Sequence, residues 1–277
     1  MKTLSLFLFA LSFTFLDAAT MSDNVRAAQT KLKAEGFYFG ETDGVLSNDF
    51  SAALARYQIR HGLQITSNLN EETSKSLGVV PEVVAGSSSA PPDGDTWRRL
   101  RKSDTQFLNK LNDGRKRPAA TTSPKTPRSE QTAAQSDSPT KLLEPMEPGN
   151  KDLFLLDPER VRDYVGAFVL AGLDPQVGAE LEFFADRVRY FDSGIVDREK
   201  IATDLKRYAA RWPQRRFWLA GDVKVEVRPD SRLLATFPLR FELANGAKHS
   251  SGKVQKTLLL EVLGEDLQIV SVNERKL

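Results

Sequence analysis

Between Val80 and Asn150 the chain stops supplying material for a hydrophobic core. Trp97 and Phe107 are the stretch's only aromatic residues, and residues 85–150 hold 8 of the 14 prolines. So little apolar surface cannot offset the entropy of ordering so many residues. Residues 80–150 are therefore predicted to be a disordered linker rich in Pro, Ser and basic residues. The linker divides the chain into residues 22–79 and 151–277, each of which must build its own core. A length of 277 residues allows this, since single domains usually run to about 100–150. From Thr96 to Arg128 the linker carries ten basic residues against Asp104 and Asp113. That run reads first as a solvated charged tether, with adhesion to an anionic wall polymer or lipid headgroups as the alternative. Trp97, Leu100, Phe107, Leu108 and Leu111 have the spacing of a short amphipathic helix.

Charge and cysteine content exclude several functions. A net charge of +2 lacks the cationic excess that phosphate contacts need, so no nucleic-acid partner is expected. The absence of Cys removes disulfides, thiolate metal sites and cysteine nucleophiles. His61 and His249 do not stand in a metal-ligand spacing, and neither a metal nor a cofactor is expected. Residues 1–19 read as an export signal. Lys2 precedes an apolar run of thirteen residues from Leu4 to Leu16, followed by the small residues Ala18 and Ala19. Thirteen residues fall short of the ~20 a membrane-spanning helix requires. Cleavage would leave no stable membrane anchor and place the protein in a bacterial periplasm or cell envelope.

Residues 22–79 show helical spacing. Val25, Ala28, Gln29 and Leu32 form one face of a first helix, with Asn24 or Asp23 as its cap and Gly36 at its end. Phe37-Tyr38-Phe39-Gly40 and Asp43-Gly44 make a loop. Phe50, Ala53, Leu54, Tyr57 and Gln58 repeat the spacing until Gly62-Leu63. A third, short helix runs from after Asn70 through Thr73 to Leu77, with Glu71 and Glu72 at its positive end.

The series Val25, Gln29, Leu32, Gly36-Phe37-Tyr38-x-Gly40, Asp43-Gly44, Ala53-Leu54-x-x-Tyr57-Gln58, Gly62-Leu63 and Thr73-x-x-x-Leu77 resembles the peptidoglycan-binding-like domain. The resemblance implies an all-α three-helix bundle that recognises bacterial cell-wall peptidoglycan without catalysis of its own. Two positions depart from the pattern: Phe50 stands where members usually carry Thr, and Ser67 where they carry Gly. Binding glycan and stem peptide calls for an aromatic face plus carboxylates or amides, so Tyr38, Asp43 and Gln58 are the candidate ligand-binding residues. Each also has a structural reading: Tyr38 as cover for the core, Asp43 as a turn residue, Gln58 as a bond to backbone across the bundle. His61 suits a helix C-terminus.

Residues 151–277 read as helices first and strands last. Val161, Val165, Phe168, Val169 and Leu173 give one helical face; Leu181, Phe184, Val188 and Phe191 a second; Ile201, Leu205, Tyr208 and Ala209 a third, which Trp212-Pro213 stops. The period then changes to two, with turns at Asp230-Ser231, Asn245-Gly246 and Gly264-Glu265-Asp266. Three helices followed by four antiparallel strands predict an α+β domain. That order, with Phe183-Phe184-Ala185-Asp186-Arg187-Val188-x-Tyr190-Phe191-Asp192-x-Gly194, resembles the nuclear transport factor two-like cone, in which a curved sheet wraps helices around a pocket. Tyr190, Asp192, Tyr208 and Trp212 are the candidate pocket residues. Asp204 also reads inward, as a base partner, or along its helix, as an ion pair with Arg207.

These readings describe an exported, non-catalytic protein that tethers a ligand- or partner-binding cone to peptidoglycan, the two domains moving independently. The alternative is an envelope enzyme whose cone acts on a small or wall-derived substrate.

Overall fold

A computed structural model describes residues 16–80, 94–102, 157–230, 232–263 and 266–277. The export-like segment up to residue 15, and Phe107, Leu108 and Leu111 of the linker, lie outside the described residues.

The N-terminal module consists of α1 (Leu16–Ala34), α2 (Asn48–His61) and α3 (Glu71–Leu77). Ser47 caps α2 by accepting the Phe50 N–H, and Asn70 caps α3 by accepting that of Thr73. Gly62 and Gly78 end these helices in the left-handed conformation. Val25, Ala28 and Leu32 of α1 close the core against Phe50, Leu54, Tyr57 and Leu77, as their spacing predicts.

Residues 94–102 correct the linker expectation. They form helix α4 (Gly94–Lys102), whose Trp97 and Leu100 are fully buried. The Trp97 indole N–H donates to Asp174 Oδ2 at 2.8 Å. The basic residues of α4 meet carboxylates: Arg98 pairs with Glu182 at 2.8 Å, Arg101 with Glu182 and Asp266, and Arg99 with Asp49 of the module. One side of α4 therefore holds the C-terminal domain and the other holds the module.

The C-terminal domain comprises α5 (Pro158–Ala171), β1 (Phe184–Tyr190), β2 (Ile195–Asp197), α6 (Arg198–Arg211), β3 (Gln214–Leu219), β4 (Lys224–Val227), β5 (Leu233–Asn245), β6 (Lys248–Leu263) and β7 (Asp266–Lys276). The sheet runs β2-β1-β7-β6-β5-β3, with β4 paired to the far end of β5. All pairings are antiparallel except β1 with β7. The expected second helix is a correction: residues 179–183 form a 3₁₀ turn, and Phe184–Tyr190 is a strand. Phe184 and Val188 are buried against α5 and the sheet, where parallel pairing with β7 supplies the hydrogen bonds a helix would have made internally. Among the described residues the cone therefore holds two long helices and seven strands, in place of three helices and four antiparallel strands.

The module and the cone are packed together, contrary to the expectation of independent motion. Gly166 of α5 permits the closest approach: a Cβ there would lie 2.1 Å from Ile59 Cδ1 of α2. Beside it, Arg56 and Asp163 form a buried ion pair at 3.3 Å, their side chains 2% and 0% exposed. Arg60 adds bonds of 2.8 Å to both Asp163 and Glu159. The Ile65 N–H donates to Phe217 O at 3.0 Å, so the segment after α2 covers the open edge of β3.

Candidate functional site

Two places bear on function: the loop face of the module, and a cavity of about 520 Å³ inside the cone.

In the module, the three candidate residues serve the fold. Gln58 is wholly buried. Its Oε1 accepts the Thr66 and Ser67 N–H groups at 2.9 Å, and its Nε2 donates to Thr66 Oγ1, Asn68 O and Thr73 Oγ1. All its bonding capacity is used, which corrects its assignment as a ligand contact. Tyr38 is 4% exposed and donates its hydroxyl to Glu41 O at 2.9 Å; burial raises its pKa. Asp43 accepts from the Val45 N–H and from Gln29 Nε2 at 2.9 and 3.0 Å, bonds that lower its pKa. It remains exposed at the surface beside Val45 and Leu46, both more than half exposed. The two departures from the family pattern also have physical accounts. Phe50 is fully buried, edge-on to Tyr38 at 5.9 Å. Ser67 holds a φ of 57°, the left-handed region in which the usual Gly is unstrained. Its strain is offset by its N–H bond to Gln58 and by its hydroxyl, which donates to Thr66 O at 2.6 Å.

The cone cavity is lined by Phe168 and Val169 of α5, Leu205 and Tyr208 of α6, and the inner faces of β1, β3, β5, β6 and β7. Tyr190 ends β1 and Tyr208 lies in the last turn of α6, and both reach the cavity. Burial pushes both phenols up to about 12; neighbouring carboxylates add to the effect, and at Tyr208 Arg215 opposes it. They are therefore neutral hydrogen-bond donors at physiological pH. Neither hydroxyl has a partner among the described residues.

The structure separates the other two candidates from this site. Asp192 is exposed on the 3₁₀ turn after β1, and Trp212 stacks beneath Arg211 outside the cavity wall. Both assignments are corrected: the turn at residues 191–193 rotates Asp192 outward, and the chain leaves α6 at Trp212. Asp204 does line the cavity, while pairing with Lys200 at 3.0 Å and Arg207 at 3.2 Å.

Two features escaped sequence reading. Glu180 enters the cavity from the 3₁₀ turn, and burial raises its pKa. The backbone N–H groups of Glu180 and Gly178, together with Arg215, oppose that rise without cancelling it. Misreading residues 181–191 as a helix hid Glu180, and the only local signal was Gly178 ahead of an acidic residue in an apolar stretch. Phe191 holds a φ of 47°, an uncommon backbone for a bulky residue, and thereby turns its ring into the cavity wall. At the rim, Lys256 pairs with Glu274 at 3.0 Å. The whole is an apolar chamber with two open hydroxyl donors and one carboxyl biased toward its neutral form. Among the described residues, no group of three His, Asp or Glu side chains forms a metal site.

Residues 21–77 match the family model described as "Putative peptidoglycan binding domain". No curated protein matches the chain. Solved structures that resemble the cone include an NTF2-like protein with a cystatin-like fold from Novosphingobium aromaticivorans. It is 16% identical over 45% of this chain and 85% of its own, with a TM-score of 0.36. A nuclear transport factor 2 superfamily protein from Salmonella enterica is 13% identical over 46% of this chain and 90% of its own, with a TM-score of 0.35. A putative polyketide cyclase from Pseudomonas putida is 15% identical over 41% and 88%, with a TM-score of 0.30. Among the described residues no helix is long and apolar enough to cross a membrane.

Proposed function

We propose that this chain is an exported envelope protein that binds peptidoglycan through residues 21–77 and holds the cone beside the wall as a receptor for a small, largely apolar ligand. The family match over the whole three-helix module carries the first half of this reading. Wall binding then falls to the module's exposed loop around Asp43, Val45 and Leu46, because Gln58 and Tyr38 are committed to the fold. The test is sedimentation of the full chain with purified sacculi at high ionic strength, where salt-resistant retention is expected. Retention that salt abolishes would reject specific binding by the module.

The cavity supports the second half. Its volume falls in the range of ligand sites, about 300–1,000 Å³, and its lining is apolar apart from a few convergent polar groups. Unpartnered phenol donors favour a ligand that offers a carbonyl or ether oxygen. Acetophenone and ethylbenzene, nearly equal in shape, make a diagnostic pair of probes: calorimetry should show tighter binding of the ketone. A catalytic cavity is the second reading, favoured by Glu180, whose raised pKa suits proton transfer. Turnover of a bound ketone that Glu180→Gln abolishes while binding persists would establish it.

A further inference from the structure

The face of the sheet turned away from the cavity is polar and cationic, and its layout follows from the strand register. Residues directly opposed in neighbouring antiparallel strands share a face. Phe217, Leu239 and Val254 line the cavity, so Trp218, Arg240 and Lys253 form an outer row across β3, β5 and β6. Arg216, Glu242 and Ser251 form the row on one side, and Pro238, Gln255 and Arg275 the row on the other. These rows hold four cations against one carboxylate. Glu242 is shared between Arg240 and, at 3.9 Å, Arg216. Lys253 and Arg275 are exposed, and neither has an acidic partner among the described residues.

Beyond this band the face changes character. Thr236, Thr257 and Asn273 form the next row, with Leu234, Leu259 and Ser271 after it. Thr257, Ser271 and Asn273, together with Arg228 and Asp230, rim a shallow concavity of about 210 Å³ floored by Leu234 and Leu259. Hydroxyl and amide groups around a small apolar floor match a sugar ring, which has polar edges and C–H faces, while the cation band matches carboxylates. A second copy of the chain would set four cations against four, and the apolar side chains of this face are withdrawn from a lipid surface, Trp218 being buried beneath Arg240 and Leu234 and Leu259 half-buried on the floor of the concavity.

We propose that this outer face is a second wall contact that binds the carboxylate-bearing glycan, alongside the module. The inference rests on the peptidoglycan reading above. The backbone bridge between Gln64 of the module and Trp218 places the module at the edge of this face.

The test is sedimentation of the full chain with purified sacculi at low salt and above ~0.5 M salt, where exposed charges are screened. Lys253→Glu with Arg275→Glu should lower retention at low salt by about tenfold and converge with wild type at high salt. The milder pair Lys253→Gln and Arg275→Gln should show a smaller loss in the same direction, and circular dichroism melting should confirm an unchanged fold for both. Retention of every variant equal to wild type at both salts would overturn the outer face and leave the module reading intact. Failure of the wild-type chain to sediment at either salt would remove both. A charge-dependent loss of binding to phosphatidylglycerol vesicles with sacculus binding unchanged would also overturn the proposal, by making the face a membrane contact. So would a wild-type dimer, seen by sedimentation velocity, that the charge reversal dissolves.

Discussion

Two polar side chains of the module and its junction, Gln58 and Asp163, are fully bonded inside the protein, whereas the tyrosine hydroxyls that face the cone cavity are open. Gln58 satisfies its carboxamide within the module, and Asp163 spends both oxygens on Arg56 and Arg60. Tyr190 and Tyr208 keep hydroxyls without partners, and Glu180 keeps a carboxyl that burial pushes toward neutrality. A buried polar group that is fully bonded holds a fold together. A hydroxyl that faces a chamber without a protein partner contributes little to the fold and keeps its bonding capacity for a ligand. The contrast separates residues that build this molecule from residues that meet a ligand, and substitution can test it.

The largest effect should come from Asp163→Ala, which leaves the buried Arg56 guanidinium without its carboxylate. Removing one partner of a buried pair costs about 3–5 kcal/mol, and denaturant unfolding should show a loss of that order. If junction and module are as closed as described, the module should detach as well, and limited proteolysis between residues 80 and 157 should accelerate. A loss below about 1 kcal/mol would break the comparison at the junction. Next, Gln58→Ala orphans the Thr66 and Ser67 N–H groups, for an expected loss of about 2–3 kcal/mol. Sacculus binding per folded molecule should not change, because Gln58 presents nothing to the wall.

How far these roles were legible in the sequence depends on the range of the interaction behind each. The three module helices were readable because i, i+3, i+4 contacts lie within one or two turns, as for Val25 with Ala28 and Leu32, but the start of the first was not: α1 begins at Leu16, so Asp23 and Asn24 lie inside it and cap nothing. Strands β5 to β7 were readable from alternation and turns, while β3 and β4 ran together as one strand. Strand β1 was not readable, because Leu181, Phe184, Val188 and Phe191 recur at spacings of three and four, and its parallel partner β7 lies some eighty residues further on. Helix α4 was legible in part: the spacing of Trp97 and Leu100 suggested an amphipathic helix, while its docking was hidden. Its arginines looked like a solvated tether until Glu182 and Asp266 came beside them, and Trp97 is buried against Phe183 with its N–H accepted by Asp174, 77 residues away. In the cavity, Tyr190 and Tyr208 were found from the pattern of the fold. Glu180 was missed, and Asp192 misplaced, because a 3₁₀ turn and a left-handed Phe191 decide which side chains face inward.

Substitutions in the cavity sharpen the contrast from its open side. Burial raises the Glu180 pKa above its ordinary value of 4.5, so the folded state holds this proton more tightly than the unfolded chain does. The stability lost by ionising it is absent below that value and grows as pH rises toward the folded-state pKa. Glu180→Gln should therefore stabilise the protein at neutral pH and leave it unchanged in acid, as paired thermal melts would show. A gain that persisted in acid would point to packing, with no role for charge.

The smallest effect on stability should come from Tyr190→Phe and Tyr208→Phe. Each removes a hydroxyl that bonds nothing within the fold while keeping the ring against its neighbours, including the edge contact of Tyr190 with Phe191 at 4.7 Å. The change in unfolding free energy should stay within about 0.5 kcal/mol, well short of the cost of Gln58→Ala. Ligand preference should respond instead: the advantage of acetophenone over ethylbenzene should shrink in each variant and vanish in the double variant. Were either substitution to destabilise the fold by 2 kcal/mol or more, on the scale of a lost buried bond, that hydroxyl would be structural. The cavity would then be closed like the module, and its claim to a polar ligand would rest on Glu180 alone.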